Sequence, residues 1–231
     1  MIPIGDDPRR HTFPLVTLLL LGANLAVFAY ELSLGSRQLE RFFAAAGTTP
    51  LEILSGRDLP PAAPVSVYAT LITAMFIHGG LLHIGSNMLF LWVFGDNVED
   101  RMGHIRFFAF YLFTGVVAGL THVWINSDSA TPTVGASGAV AGVLGAYIVL
   151  FPQAQVRTLL ILGWFITITR IPALVLIGFW FVSQLFSGLM ALDAQEATGV
   201  AFWAHIGGFV AGFLLARGLV RGAATSPGEP W

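Results

Sequence analysis

An all-α polytopic membrane bundle is the fold class this sequence predicts. Three observations predict it: charge is scarce, apolar residues are abundant, and they come in blocks long enough to cross a bilayer. The 231 residues hold 11 Arg, no Lys and 13 Asp+Glu, so 10% are charged and 55% hydrophobic. A typical chain carries about 25% charge. Mean hydropathy is +0.77. This excludes a disordered chain and leaves too few charges to cover an ordinary soluble globule. The net charge of −2 gives no electrostatic footprint for nucleic acid. With no Cys, disulfides, thiol catalysis and Cys-ligated metal are excluded.

Residues 11–30, 59–95, 107–127, 129–156, 171–192 and 197–216 contain no Asp, Glu, Lys or Arg. About 20 mostly apolar residues suffice to cross a bilayer as a helix, and backbone groups in lipid must be satisfied within the segment. Spans are therefore expected near 12–30, 80–98, 103–124, 136–152, 172–191 and 203–220. The second span should stop at the polar run Gly95-Asp96-Asn97-Val98-Glu99-Asp100, and the fourth near Phe151-Pro152. Pro172 suits the first turn of the fifth, where its missing N–H costs nothing. The block 153–170 reads as a membrane-surface loop, with a short seventh helix as the alternative; its Ile and Thr content favours extended chain. Arg9 and Arg10 before the first run resemble a signal peptide, but five further spans favour an uncleaved anchor. The whole chain, 1–231, reads as one membrane domain with its core at about 10–220 and a loose tail at 221–231.

Arginine sets the expected orientation. With six spans, the two tails and the even-numbered loops carry 8 Arg and the odd-numbered loops carry 3. The positive-inside rule then puts both termini in the cytoplasm. The three exceptions, Arg37, Arg41 and Arg57, share the long first loop with Glu31, Glu40, Glu52 and Asp58. In this orientation the second, fourth and sixth spans begin together at the outer side.

Those three beginnings carry the uncommon side chains. The second span opens with His78, His83, Ser86 and Asn87, the fourth with Thr133-Val134-Gly135-Ala136-Ser137-Gly138, and the sixth with Trp203-Ala204-His205. Polar groups at one membrane depth suggest a functional site; the bland alternative is hydrogen-bonded packing between helices. Ser137 lies at a loop-to-helix junction between Gly135 and Gly138, which permit a tight turn and a close backbone approach. N–H groups at a helix start lack intrahelical acceptors and favour an anion. A serine hydroxyl there is a candidate nucleophile that needs a base, and His205 stands at the matching depth. His83 and Asn87, four residues apart, share one helix face and can donate to one point, as an oxyanion hole requires. Asp193 and Glu196 could orient His205 only by folding back, so a Ser–His dyad is simpler than a triad. Three imidazoles (His78, His83, His205) could hold zinc, but no HExxH pair exists and zinc explains neither Ser137 nor Asn87. No metal or other cofactor is expected. His11, His104 and His122 read as membrane-boundary residues, and His78 as an anchor for the helix entrance.

Small residues repeat every four positions in two spans: Gly138, Gly142 and Ala146, then Ala204, Gly208 and Gly212. Such faces let backbones come into contact in lipid. Ordinary tight packing or dimerisation is the alternative. Both faces begin beside the candidate reacting residues.

The stretches HGGLLHIGSN (78–87), GASG (135–138), AHIGGFVAG (204–212) and FGDNVEDRMG (94–103), in this order, resemble the rhomboid family of intramembrane serine proteases, bacterial six-helix members in particular. The resemblance implies an inner-membrane protease that cuts single-span or multi-span membrane proteins near the outer face. It implies Ser137 as nucleophile, His205 as base, and His83 and Asn87 as oxyanion donors. It also implies a first loop partly in the membrane surface and a mobile fifth span, where Trp180 and Phe181 line the gate or simply face lipid. One departure is Ala141, where some members place an aromatic ring under the imidazole; Trp203 is the expected substitute, and a less rigidly held histidine is the alternative. A non-catalytic relative that binds and helps degrade membrane clients is the alternative function. A small transporter lacks its expected carboxylates and inverted repeat. Oligomeric state is left open.

Overall fold

The structure is a computed structural model and describes residues 1–60, 65–193 and 201–220. The predicted tail, 221–231, lies outside them. In order come β1 (Ile2–Asp6), α1 (Leu15–Ser33), α2 (Ser36–Ala46), α3 (Pro50–Ser55) and the four-residue α4 (Thr70–Thr73) between two single turns. Then follow α5 (Leu81–Met102), α6 (His104–Ile125), α7 (Ser137–Leu150), β2 (Gln155–Leu162), β3 (Phe165–Pro172), α8 (Ala173–Asp193) and α9 (Phe202–Leu219). Each predicted span falls on one helix: α1, α5, α6, α7, α8 and α9. Among the described residues α1, α6, α8 and α9 are long and apolar enough to cross a membrane; residues 67–76 with α5 form a fifth candidate, bent by 81°.

α7 is the axis of the bundle. Every residue from Gly138 to Tyr147 is buried. At 14 residues, it reaches roughly 21 Å, short of the ~30 Å of a hydrocarbon core. Its neighbours are close because its small residues leave no side chain in the way. A Cβ on Gly208 would sit 2.0 Å from the Gly138 carbonyl oxygen, and one on Gly212 2.0 Å from that of Gly142. On the opposite side a Cβ on Gly142 would meet Thr114 of α6 at 2.5 Å. Both small-residue faces thus form a backbone-to-backbone seam between α7 and α9.

Two segments add to or differ from expectation. First, the polar run 95–100 is helical throughout, and α5 ends just after it at Met102. Its carboxylates serve the start of α1. Buried Glu99 accepts the N–H groups of Val16 (2.8 Å) and Thr17 (2.7 Å) and the Thr17 hydroxyl (2.7 Å). Asp100 accepts the N–H groups of His11 and Thr12. The Val16 and Thr17 N–H groups are donors that a helix start leaves unpaired, while His11 and Thr12 precede α1, which has no capping side chain of its own. An anion at that end also meets the favourable pole of the helix dipole.

Second, 153–170 is neither a loop nor a helix. β2 and β3 form an antiparallel hairpin that turns at Gly163, whose φ of +61° suits glycine. The N-terminal β1 pairs with β2 to complete a three-stranded sheet. A lone hairpin is marginal in water; the third strand and its attachments make this one. Asp6 of β1 accepts hydrogen bonds from Asn97 of α5 (2.9 Å) and Tyr147 of α7 (2.5 Å).

Between α1 and α5 the long first loop packs against the loop before α7. Thr48 and Thr133 exchange N–H···O bonds at 2.9 Å, and the Gly135 N–H donates to the Ala74 carbonyl at 2.8 Å. α2 is amphipathic, with Leu39, Phe42 and Phe43 opposed to Arg37, Glu40 and Arg41, the pattern of an interfacial helix.

Candidate active site

Ser137 is the first residue of α7, and His205 stands in the first turn of α9. The glycine seam brings the two helix starts together: Ser137 Oγ lies 2.7 Å from His205 Nε2. Gly135 turns the chain just before the serine with φ +130°, which few other residues adopt. It is needed for space as well. A Cβ there would sit 2.6 Å from His83 Nε2 and 3.6 Å from Ser137 Oγ. His83 and Ser137 therefore flank the same point.

The His83 ring has a definite polarity. The Gly79 N–H donates to Nδ1 at 3.3 Å, which leaves the proton of the neutral ring on Nε2, the nitrogen beside Gly135. One helical turn on, Asn87 is 6% exposed and its Nδ2 has no partner among the described residues. A buried amide donor left unpaired costs stability, so its presence here calls for a reason. His78 also fits its expected anchoring position. Its N–H donates to the Glu31 carboxylate at 3.1 Å, and its ring packs edge-on against His83 at 5.1 Å.

A small cavity of about 40 Å³ opens beside Ser137, walled by Gly115, Ala118, His122, Thr133 and Gly138 among others. That is room for water. His122, in the last turn of α6, lines this cavity, with Nε2 3.0 Å from the Thr133 hydroxyl. His104 pairs with Glu99 at 2.5 Å, and His11 is exposed. Among the described residues no group of His, Cys, Asp and Glu is arranged to hold a metal ion.

The family model for the Rhomboid domain matches residues 66–222, a range that includes Ser137, His205, His83 and Asn87. The chain belongs to the rhomboid family. It is similar to RHOMBOID-like protein 6, mitochondrial, of Arabidopsis thaliana, at 30% identity over 76% of this chain and 52% of that one. It is similar to Rhomboid protein 1, mitochondrial, of Saccharomyces cerevisiae, at 32% identity over 59% of this chain and 37% of that one. Rhomboid protease GluP of Bacillus subtilis is 31% identical over 64% of this chain and 25% of its own length. The rhomboid chain thus spans about half or less of each of these curated relatives.

Within this rhomboid fold the imidazole is supported from a helix that sequence reasoning did not credit. Ala141 offers no ring, and Trp203, the expected substitute, leaves its Nε1 without a partner among the described residues. Trp180 of α8 lies against His205 instead, with ring centroids 5.8 Å apart, while Phe181 stacks on Phe209 at 4.3 Å. Both α8 aromatics therefore pack inward. Gln184, one turn further along α8, places Oε1 2.7 Å from His205 Nδ1. No motif marks Gln184, since its partner is 21 residues away and the chain between is a helix-to-helix connection. The Asp193 side chain and Glu196, considered as partners for His205, lie outside the described residues.

Proposed function

We propose that this rhomboid is an intramembrane serine endopeptidase acting on transmembrane-anchored proteins. The observation that carries the reading is the 2.7 Å contact between Ser137 Oγ and His205 Nε2. It is the geometry a general base needs to take a hydroxyl proton. Ser137 attacks the scissile carbonyl as its proton passes to His205. The tetrahedral oxyanion is held by the Ser137 N–H at the start of α7, by His83 Nε2–H and by the unpaired Asn87 amide. His205 gives its proton to the leaving amine, and the acyl-enzyme forms. A water, which the cavity beside Ser137 could supply, then attacks the acyl carbon as His205 takes its proton; His205 returns that proton to the departing Ser137 Oγ, and the acid leaves.

The shortness of α7 suits this chemistry. It sets Ser137 within the depth of the bilayer, where irregular chain is tolerated only inside protein or at a wet cavity. With six spans, the arginine distribution supports cytoplasmic termini and a site toward the outer face. A bacterial inner membrane is the proposed setting, from the likeness of 94–103 to bacterial members. The chain is proposed as one domain, with its core at about 10–220.

The test is labelling of purified protein by a serine-reactive fluorophosphonate, together with cleavage of single-span model substrates. Both should be present in the wild type and absent in Ser137→Ala and His205→Ala at unchanged melting temperature. Cleavage by purified Ser137→Ala would overturn Ser137 as the nucleophile, and a wild type that neither labels nor cuts would leave the non-catalytic, client-binding reading.

A further inference from the structure

We propose that Gln184 is the positioning residue for His205: its side-chain oxygen accepts the Nδ1 hydrogen and so turns the Nε2 lone pair toward Ser137. This rests on the protease reading above and adds a third group to the pair, an uncharged one carried by α8.

The hydrogen-bond chain on α8 has one consistent direction. A backbone carbonyl only accepts. Ser183 Oγ lies 2.6 Å from the Trp180 carbonyl oxygen, so the Ser183 hydroxyl must donate there. That leaves Ser183 Oγ as an acceptor, and Gln184 Nε2 lies 3.2 Å from it. The amide nitrogen of Gln184 therefore faces Ser183, and its oxygen faces His205 Nδ1 at 2.7 Å. An amide oxygen has no hydrogen to give, so Nδ1 must carry the ring proton. Neutral imidazole has only one, so Nε2 is bare and accepts the Ser137 hydroxyl at 2.7 Å. The Trp180 carbonyl thus sets the polarity of five groups ending at the nucleophile.

Without this chain nothing distinguishes the two tautomers, and the wrong one puts N–H where the base must be. The other titratable groups whose charge His205 feels are His83 of α5 and His122 of α6, and neither is a carboxylate. From α7 it meets the Ser137 hydroxyl, and from α8 Gln184 and the Trp180 ring.

The first measurement uses the wild-type chain. Histidine labelled with ¹⁵N, with the His205 signals assigned by their loss in His205→Ala, should show hydrogen on Nδ1 above the ring's titration. Hydrogen on Nε2 overturns the proposal. The second uses variants cleaving a single-span model substrate. Gln184→Leu should lose kcat about 10–100-fold at nearly unchanged KM, less than the ~10⁴-fold loss when a buried carboxylate partner is replaced. Gln184→Glu, an acceptor in the same place, should recover most of that kcat. It should also move the acid limb of the kcat/KM profile upward by about one pH unit, since a nearby negative charge favours imidazolium. A residue that only packs would not shift that limb. Wild-type kcat in Gln184→Leu, or an unmoved limb in Gln184→Glu, overturns the proposal. If Gln184→Leu does not fold, the tautomer measurement decides alone. Failure of the protease reading looks different: the wild type then neither reacts with fluorophosphonate nor cuts, whichever nitrogen holds the proton.

Discussion

At the residue scale, the least expected state is that of Asn87. It is buried, with an amide nitrogen that bonds to nothing among the described residues. A side chain kept only for packing would be better apolar, because burying an unpaired donor costs about 1–3 kcal/mol. The proposed partner is the transient oxyanion. Asn87→Ala should therefore lower kcat by roughly 10²-fold or more, while the melting temperature barely changes. A large fall in melting temperature at normal turnover would instead make Asn87 structural. His83 differs, because the Gly79 N–H already fixes its ring. Both residues were legible as an i,i+4 pair. Glu31 was not, because its role is to receive the His78 N–H from a segment 47 residues away.

At the element scale, the α7–α9 seam makes the site possible. The atom that a Gly208 Cβ would strike is the Gly138 carbonyl oxygen, part of the backbone next to Ser137. No rotamer change relieves such a clash, so the helices must separate and carry Ser137 away from His205. Gly208→Val should cost about 1–3 kcal/mol or more of stability and abolish turnover. Gly178→Ala is the control, since a Cβ there meets nothing within 4 Å; it should leave melting and turnover unchanged. The four-residue repeat was visible in sequence because membrane helices that touch need small residues at every turn. The hairpin was less visible. Its Thr and Ile residues indicated extended chain, but the partner strand that completes the sheet is far away in sequence, with Ile2 opposite Leu159 and Asp6 opposite Val156.

At the scale of the whole molecule, the N-terminal segment, the lower end of α5 and α7 are tied through carboxylates. Asp6 is central to this junction. Burial pushes its carboxyl up from 3.8 to about 6, against the opposing hydrogen bond from Tyr147. The folded form then binds more protons than the unfolded chain between those values, so stability falls as pH rises through that window. Asp6→Asn should remove this slope. Thermal melts in detergent from about pH 4 to pH 6 should show the wild type losing stability relative to the variant. A wild type that gains relative to Asp6→Asn over that range would show the carboxylate to be favoured by its site. α8 matters at this scale too. It carries Trp180 and Gln184 to His205, so a displacement of α8 changes the environment of the base as well as access to it.

Charge scarcity, block length and the spacing of small residues determined, without any structure, that the chain is a helical membrane bundle. They also determined which hydroxyl and imidazole stand at one depth. Such properties are legible because lipid imposes the same requirement on every residue of a span. The tertiary structure alone decided that Glu99 caps another helix, that residues 155–172 pair with the N-terminus, and that an amide on α8 holds His205. Those are single contacts between distant segments. Their energy depends on a few tenths of an ångström and a bond direction, and neither leaves a periodic trace along the chain.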